Sequence, residues 1–200
     1  MPGGASAVIL RSCLPLIAFV GHSGSGKTTL LERVIAELNG RGLRVGAIKH
    51  DPKGHAAYDH PGKDSWRYRR AGAAIVALAG PTTVATFRPL EDETPLWALA
   101  EQIAAHAPLD LILAEGYHTH AGIPKIEVYR PVLARPPRCA TDEVIAVATD
   151  TESLVPGLEH VPHLPLNDPA AVAWFLVAFL GPEPGAGMTA GAVALSHTVA

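Results

Sequence analysis

Gly21-His22-Ser23-Gly24-Ser25-Gly26-Lys27-Thr28 matches G-x-x-x-x-G-K-[ST] at every fixed position. Glycines at that spacing let successive backbone N–H groups turn inward around phosphate oxygens with no Cβ in the way. A helix starting at the end of the run adds its partial positive charge. In such a loop Lys27 neutralises the outer phosphates of a nucleoside triphosphate, and the Thr28 hydroxyl ligates Mg2+. A hard cation wants further oxygen ligands, so a carboxylate is expected at the end of a neighbouring strand. The stretch from Leu109 to Gly116 reads LDLILAEG, an apolar run ending in Glu115. A carboxylate followed by glycine at the C-terminal end of a strand is where α/β sites form. Lys27 and Glu115 are therefore the residues expected to carry any phosphate chemistry. Asp110, at the other end of the same run, reads as solvation of the strand entry.

A second set of reactive side chains follows the next apolar run. Lys49-His50-Asp51 leaves it, and the loop then carries His55, Asp59 and His60 before Gly62-Lys63-Asp64-Ser65. Three histidines interrupted by Pro52 and Gly54 match no standard zinc spacing. Lys49, Lys63 and the start of a helix near Asp64 suit an anion or phosphate pocket instead, with histidine as a donor. His55 and His60 read equally well as solvated loop residues. Arg67, Arg69 and Arg70 mark the wet face of the following helix. For base recognition no N-K-x-D sequence occurs. Asp150, just past an apolar run, could accept the N1 and N2 donors of guanine or could simply close a turn.

Short aliphatic runs alternating with helical patterns must position these groups, which predicts an α/β fold with a largely parallel sheet flanked by helices. Strands are expected at 14–20, 43–48, 74–79, 82–87, 109–114, 125–129 and 144–148, the run 125–129 partly exposed because it alternates. Helices are expected at 28–39, from Asp64 or Ser65 to about 71, at 95–106, and from the N-cap Asp168 through Leu180. The last is apolar all round and calls for cover on more than one side, either within one core or against a second subunit. One domain over 14–180 follows, with a flexible arm at 1–13 and a flexible tail at 181–200.

Of the 200 residues 48% are hydrophobic and 18% charged, enough apolar material for one real core. Sixteen basic against 19 acidic residues give a net charge of −3, so no global field draws the chain to nucleic acid or to an anionic membrane. The two cysteines, Cys13 and Cys139, form no framework, which suits a cytoplasmic setting. The apolar run from Ala170 to Leu180 falls short of the roughly 20 residues that span a bilayer.

With the phosphate loop, Lys49-His50, Asp59-His60-Pro61-Gly62-Lys63-Asp64-Ser65, Glu115-Gly116-Tyr117 and Lys125-Ile126-Glu127-Val128-Tyr129-Arg130 together, the chain resembles the MobB family from about Leu16 to about Leu180. The resemblance implies a P-loop NTPase fold, a homodimer, GTP with Mg2+, weak GTP hydrolysis, and service to the nucleotidyltransferase MobA, which joins GMP to molybdopterin. It implies phosphate contacts from Ser23, Gly24, Ser25, Gly26, Lys27, Thr28 and Thr29, and Mg2+ held by Thr28 and Glu115. It further implies a molybdopterin-phosphate site drawing on Lys49, Asp59, Lys63, Asp64, Ser65 and Lys125, beside which His50 stands. One departure is His118, where the family commonly carries a lysine.

Three activities are compatible with these residues. The leading expectation is a GTP-binding adapter in molybdopterin guanine dinucleotide biosynthesis with slow hydrolysis, since neither an arginine finger nor a water-orienting glutamine stands out near the loop. A small-molecule kinase would use the Lys-rich pocket for an acceptor and the 67–70 arginines as a lid. A switch GTPase or metal-delivery protein would use the histidine loop.

Overall fold

The computed structural model describes residues 14–54, 56 and 58–181. The expected arm at 1–13, the expected tail from 182 onward and His55 lie outside the described residues. In chain order the elements are β1 (Leu16–Val20), α1 (Lys27–Gly40), β2 (Val45–Lys49), α2 (Asp64–Arg70), β3 (Val76–Ala79) and β4 (Val84–Phe87). There follow α3 (Leu96–Ala104), β5 (Leu111–Glu115), β6 (Lys125–Tyr129), a 3-10 turn at Pro131–Leu133, β7 (Val144–Thr149), β8 (His163–Pro165) and α4 (Pro169–Leu180).

The main sheet runs β2-β5-β1-β6-β7-β8, and every pairing in it is parallel. β1 and β5 are buried along their whole length, as continuous aliphatic runs must be when both faces of a sheet are covered. Their side chains alternate between two cores. Ile17, Phe19, Leu111 and Leu113 pack with α1 and α4 residues such as Leu31, Val34 and Leu176. Leu16, Ala18, Val20, Ile112 and Ala114 pack on the other face with Leu96 and Ala100 of α3.

α1 is helical because Leu30, Leu31, Val34 and Leu38 recur on one face and are all buried. It stops before Gly42, whose φ of 85° is a left-handed conformation natural to glycine. The Asp168 side chain caps α4 as expected, accepting from the Ala171 N–H at 3.1 Å, with Pro169 in the first turn. The cover expected on more than one side of α4 is not supplied among the described residues: Trp174 is 60% and Phe179 45% exposed. The Arg41 guanidinium lies over the Trp174 ring.

Lys125–Tyr129 departs from its expected half-exposure. It is an inner strand, with Lys125 1% and Glu127 0% exposed, because both polar side chains find internal partners. β8 was not foreseen; its three residues pair with β7 through backbone bonds and carry no periodic signal. β3 and β4 form a separate antiparallel hairpin whose Leu78 and Val84 are largely exposed. Among the described residues no helix is long and apolar enough to cross a membrane.

Candidate functional site

β2 and β5 lie on one side of β1, and β6, β7 and β8 on the other, so the chain reverses direction across the sheet at β1. The crevice beyond the carboxyl ends of strands at such a point is where open α/β sheets place ligands. The phosphate loop leaves β1 there. Gly21 takes a φ of 144°, and a Cβ on it would stand 2.5 Å from the Val128 carbonyl oxygen, so only glycine lets the loop pass β6 this closely. Gly26, in a left-handed conformation, precedes the first residue of α1.

Lys27 opens α1 and folds back over its own loop, donating to the carbonyls of Gly21 at 3.0 Å and His22 at 2.8 Å. Partial burial is the largest influence on its ammonium and holds its pKa below the ordinary lysine value, opposed by the charge of Glu115. Thr28 Oγ1 donates to Glu115 Oε2 at 2.9 Å. Glu115 Oε1 takes the Lys49 ammonium at 2.6 Å. The loop, the helix start and the end of β5 thus bring Lys27, Thr28 and Glu115 together, and Lys49, expected in the second pocket, is drawn to the same carboxylate. Ser25 Oγ is 1% exposed as a residue and has no hydrogen-bond partner among the described residues. A buried donor left free in a phosphate loop suits an incoming phosphate oxygen, and the hydroxyl and carboxylate oxygens of Thr28 and Glu115 suit a hard cation. Ser23, Gly24 and Thr29 are exposed at the rim.

His50 belongs to this end of the sheet. Its ring stacks on Tyr117 with centroids 4.2 Å apart, and its backbone N–H donates to the Glu115 carbonyl. Its Nε2 lies 2.8 Å from Glu93 Oε1, off the line a hydrogen bond requires. Gly116 and Tyr117 both take positive φ, 102° and 59°, which turns the tyrosine onto that histidine. The remaining second-site residues are organised separately. Asp59 accepts from its neighbour's N–H at His60, from Ser65 Oγ at 2.9 Å and from Arg69 at 3.3 Å, which fixes the start of α2. Lys63 and Asp64 are exposed beside it. Lys125 does not join either group: its buried ammonium is held by the Glu143 carboxylate and the His120 carbonyl. Asp150 sits at the end of β7, as expected, and accepts from Arg130 Nε at 2.8 Å. Among the described residues no group of three or more His, Cys, Asp or Glu stands together as a metal cluster.

Glu127, His118 and Arg138 were not singled out from the sequence as site residues. Glu127 pairs in register with Val20, the last strand residue before the loop. Its buried carboxyl accepts the Arg138 N–H at 2.7 Å and the Cys139 N–H at 3.1 Å. Burial pushes that carboxyl up to about 7, against the pull of those donors and of the Lys27 and Arg138 charges. The segment it holds also reaches the phosphate loop, since the His22 ring bonds the Pro136 carbonyl at 2.9 Å. The Arg138 guanidinium donates to His118 Nε2 at 2.8 Å. Partial burial and then the Arg138 charge hold His118 below the usual histidine value, so the ring is a neutral acceptor. The second position after Gly116, His118, where the resemblance implies a lysine, thus receives a positive charge from a distant part of the chain.

Residues 16–150 match the family model MobB, described as molybdopterin guanine dinucleotide synthesis protein B. The molybdopterin-guanine dinucleotide biosynthesis adapter protein of Escherichia coli K12 is 41% identical over 179 residues, covering 88% of this chain and 98% of that protein. The protein of the same name from Haemophilus influenzae is 38% identical over 143 residues, 72% of this chain and 79% of its own length. The crystal structure of Bacillus subtilis MobB superposes with a TM-score of 0.65 at 28% identity, over 82% of this chain and 96% of that one. The fold is that of these structures, a P-loop NTPase-like, largely parallel sheet flanked by helices.

Proposed function

The chain belongs to the MobB family, and on that premise we propose that it acts as an adapter in molybdopterin guanine dinucleotide biosynthesis, binding GTP with Mg2+ and serving a nucleotidyltransferase of the MobA type. The observation that carries this reading is the Thr28–Glu115 contact of 2.9 Å beside Lys27, at the point where the strand order reverses. Ser23 to Thr29 would wrap the phosphates with backbone N–H groups, and Thr28 and Glu115 would hold the metal, which supplies charge neutralisation when bound. Lys27 exchanges its two carbonyl partners for phosphate oxygens, a stronger, charge-assisted bond. Asp150, once turned from Arg130, is the acceptor assigned to guanine.

Molybdopterin is the second ligand, with Lys49 and Lys63 meeting its phosphate, His50 beside them, and Asp59, Asp64 and Ser65 shaping the turn. Lys125 is assigned the support of this end of the sheet through Glu143. Hydrolysis is slow, because Gln102 lies on α3 rather than at the loop. A kinase lid built from α2 finds little support: Arg67 and Arg69 face Asp64 and Asp59, and Arg70 lies over Trp66. The homodimer of this reading forms through the β3–β4 hairpin, whose apolar surface is open and which is too small to be stable alone.

Titration calorimetry of the purified protein with GTP and with ATP, each with Mg2+, tests the reading, with and without molybdopterin or a phosphorylated pterin. GTP preference with a second, non-competing pterin site is the expected result. ATP preference, or the absence of a pterin site, overturns it.

A further inference from the structure

We propose that Arg138 is a phosphate-binding residue supplied in cis, reaching the terminal phosphate of the nucleotide from the segment that follows β6; this rests on the nucleotide reading above. Three independent contacts hold that segment at the mouth of the phosphate loop. The backbone N–H groups of Arg138 and Cys139 bond the two oxygens of buried Glu127, which is in register with Val20. The carbonyl of Pro136 bonds the ring of His22, inside the loop. Leu133 lies beside Gly24, 4.0 Å from where a Cβ would be.

The guanidinium bonds His118, three residues beyond Glu115, in the connection from β5 to β6. Arg41, Arg44, Arg67, Arg69 and Arg130 each face a carboxylate. Among the described residues Arg138 has none in ion-pair reach, and its charge is felt by Lys27. A neutral imidazole orients it through one N–H and leaves the other donors of its fork for an anion. The loop's own N–H groups cradle the inner phosphates and Lys27 reaches between the β- and γ-phosphates, which leaves γ-phosphate oxygens for a second cation. A cation bridging the ends of β6 and β5, next to the carboxylate assigned to the metal, meets the outer end of the phosphate chain.

Arg138→Ala keeps the backbone N–H that Glu127 uses, and the side chain is exposed, so the fold is retained. Equilibrium titration with fluorescent GTP and GDP, each with Mg2+, is the test, with melting temperature as the check on folding. The expected result is a loss of about tenfold in GTP affinity with GDP affinity unchanged, and partial recovery in Arg138→Lys. Unchanged GTP affinity, or equal losses for GTP and GDP, overturns the assignment. Lys27→Ala run in parallel separates the two levels of the argument: it lowers both nucleotides if the phosphate-loop reading holds. If the unaltered protein binds neither nucleotide, that reading falls, and this inference with it.

Discussion

Replacing Glu127 by glutamine removes a buried proton-binding group without changing its shape. The carboxyl is wholly buried and its pKa lies near 7 instead of 4.5, with burial as the main cause. Between those two values the folded chain holds a proton that the unfolded chain has released. Stability contributed by this group is therefore greatest at low pH and is lost as pH rises from about 4.5 to about 7. At about 1.36 kcal/mol for each pH unit, that interval is worth about 3 kcal/mol. Glutamine does not titrate and feels none of this loss. At the acid end the protonated carboxyl can still accept with both oxygens while the glutamine amide nitrogen cannot, so the variant carries a pH-independent offset and the informative quantity is how the difference changes with pH. Urea unfolding of both proteins at intervals from pH 4.5 to 8 gives the difference directly, since the other carboxylates titrate alike in both. The glutamine variant is expected to gain about 3 kcal/mol on its parent across that range. A difference that stays constant with pH, or moves in the parent's favour, would refute the reasoning.

Lys27→Ala is expected to abolish GTP binding, while Lys63→Ala spares GTP and weakens a phosphorylated pterin; calorimetry that finds GTP lost in Lys63→Ala contradicts the division into two sites. Gly21→Ala drives a Cβ into the Val128 carbonyl at 2.5 Å, so the loop must leave β6. A stability loss of about 2 kcal/mol or more is expected, and a melting temperature equal to the parent's would count against the placement. Leu78→Lys puts a charge on the open hairpin, where light scattering is expected to show the mass of one chain instead of two, and an intact dimer would move the interface elsewhere.

The phosphate loop was legible because its function is local: glycines, Lys27 and Thr28 act within eight consecutive residues, and backbone conformation alone brings them together. Glu115 was legible for a similar reason, since the end of an apolar strand is marked by the first polar residue. α4 announced its start through Asp168 and Pro169, but of the two covers its apolar surface allowed, one core or a second subunit, the sequence could not choose, because apolarity around a helix does not say what covers each side.

The sequence by itself determined the succession of strands and helices along the chain except for β8, together with the phosphate loop and the carboxylate facing it, because periodicity and turn chemistry are written in neighbouring residues. Which polar residues turn inward was decided only by the tertiary structure. Lys125, expected at a ligand, is spent on Glu143, and Glu127 is sunk beside Val20, since an inner strand buries both of its faces. Arg138 and His118 lie 20 residues apart along the chain and meet only because β6 and β5 flank β1. Long-range pairing of this kind depends on strand order, which no spacing along the chain encodes.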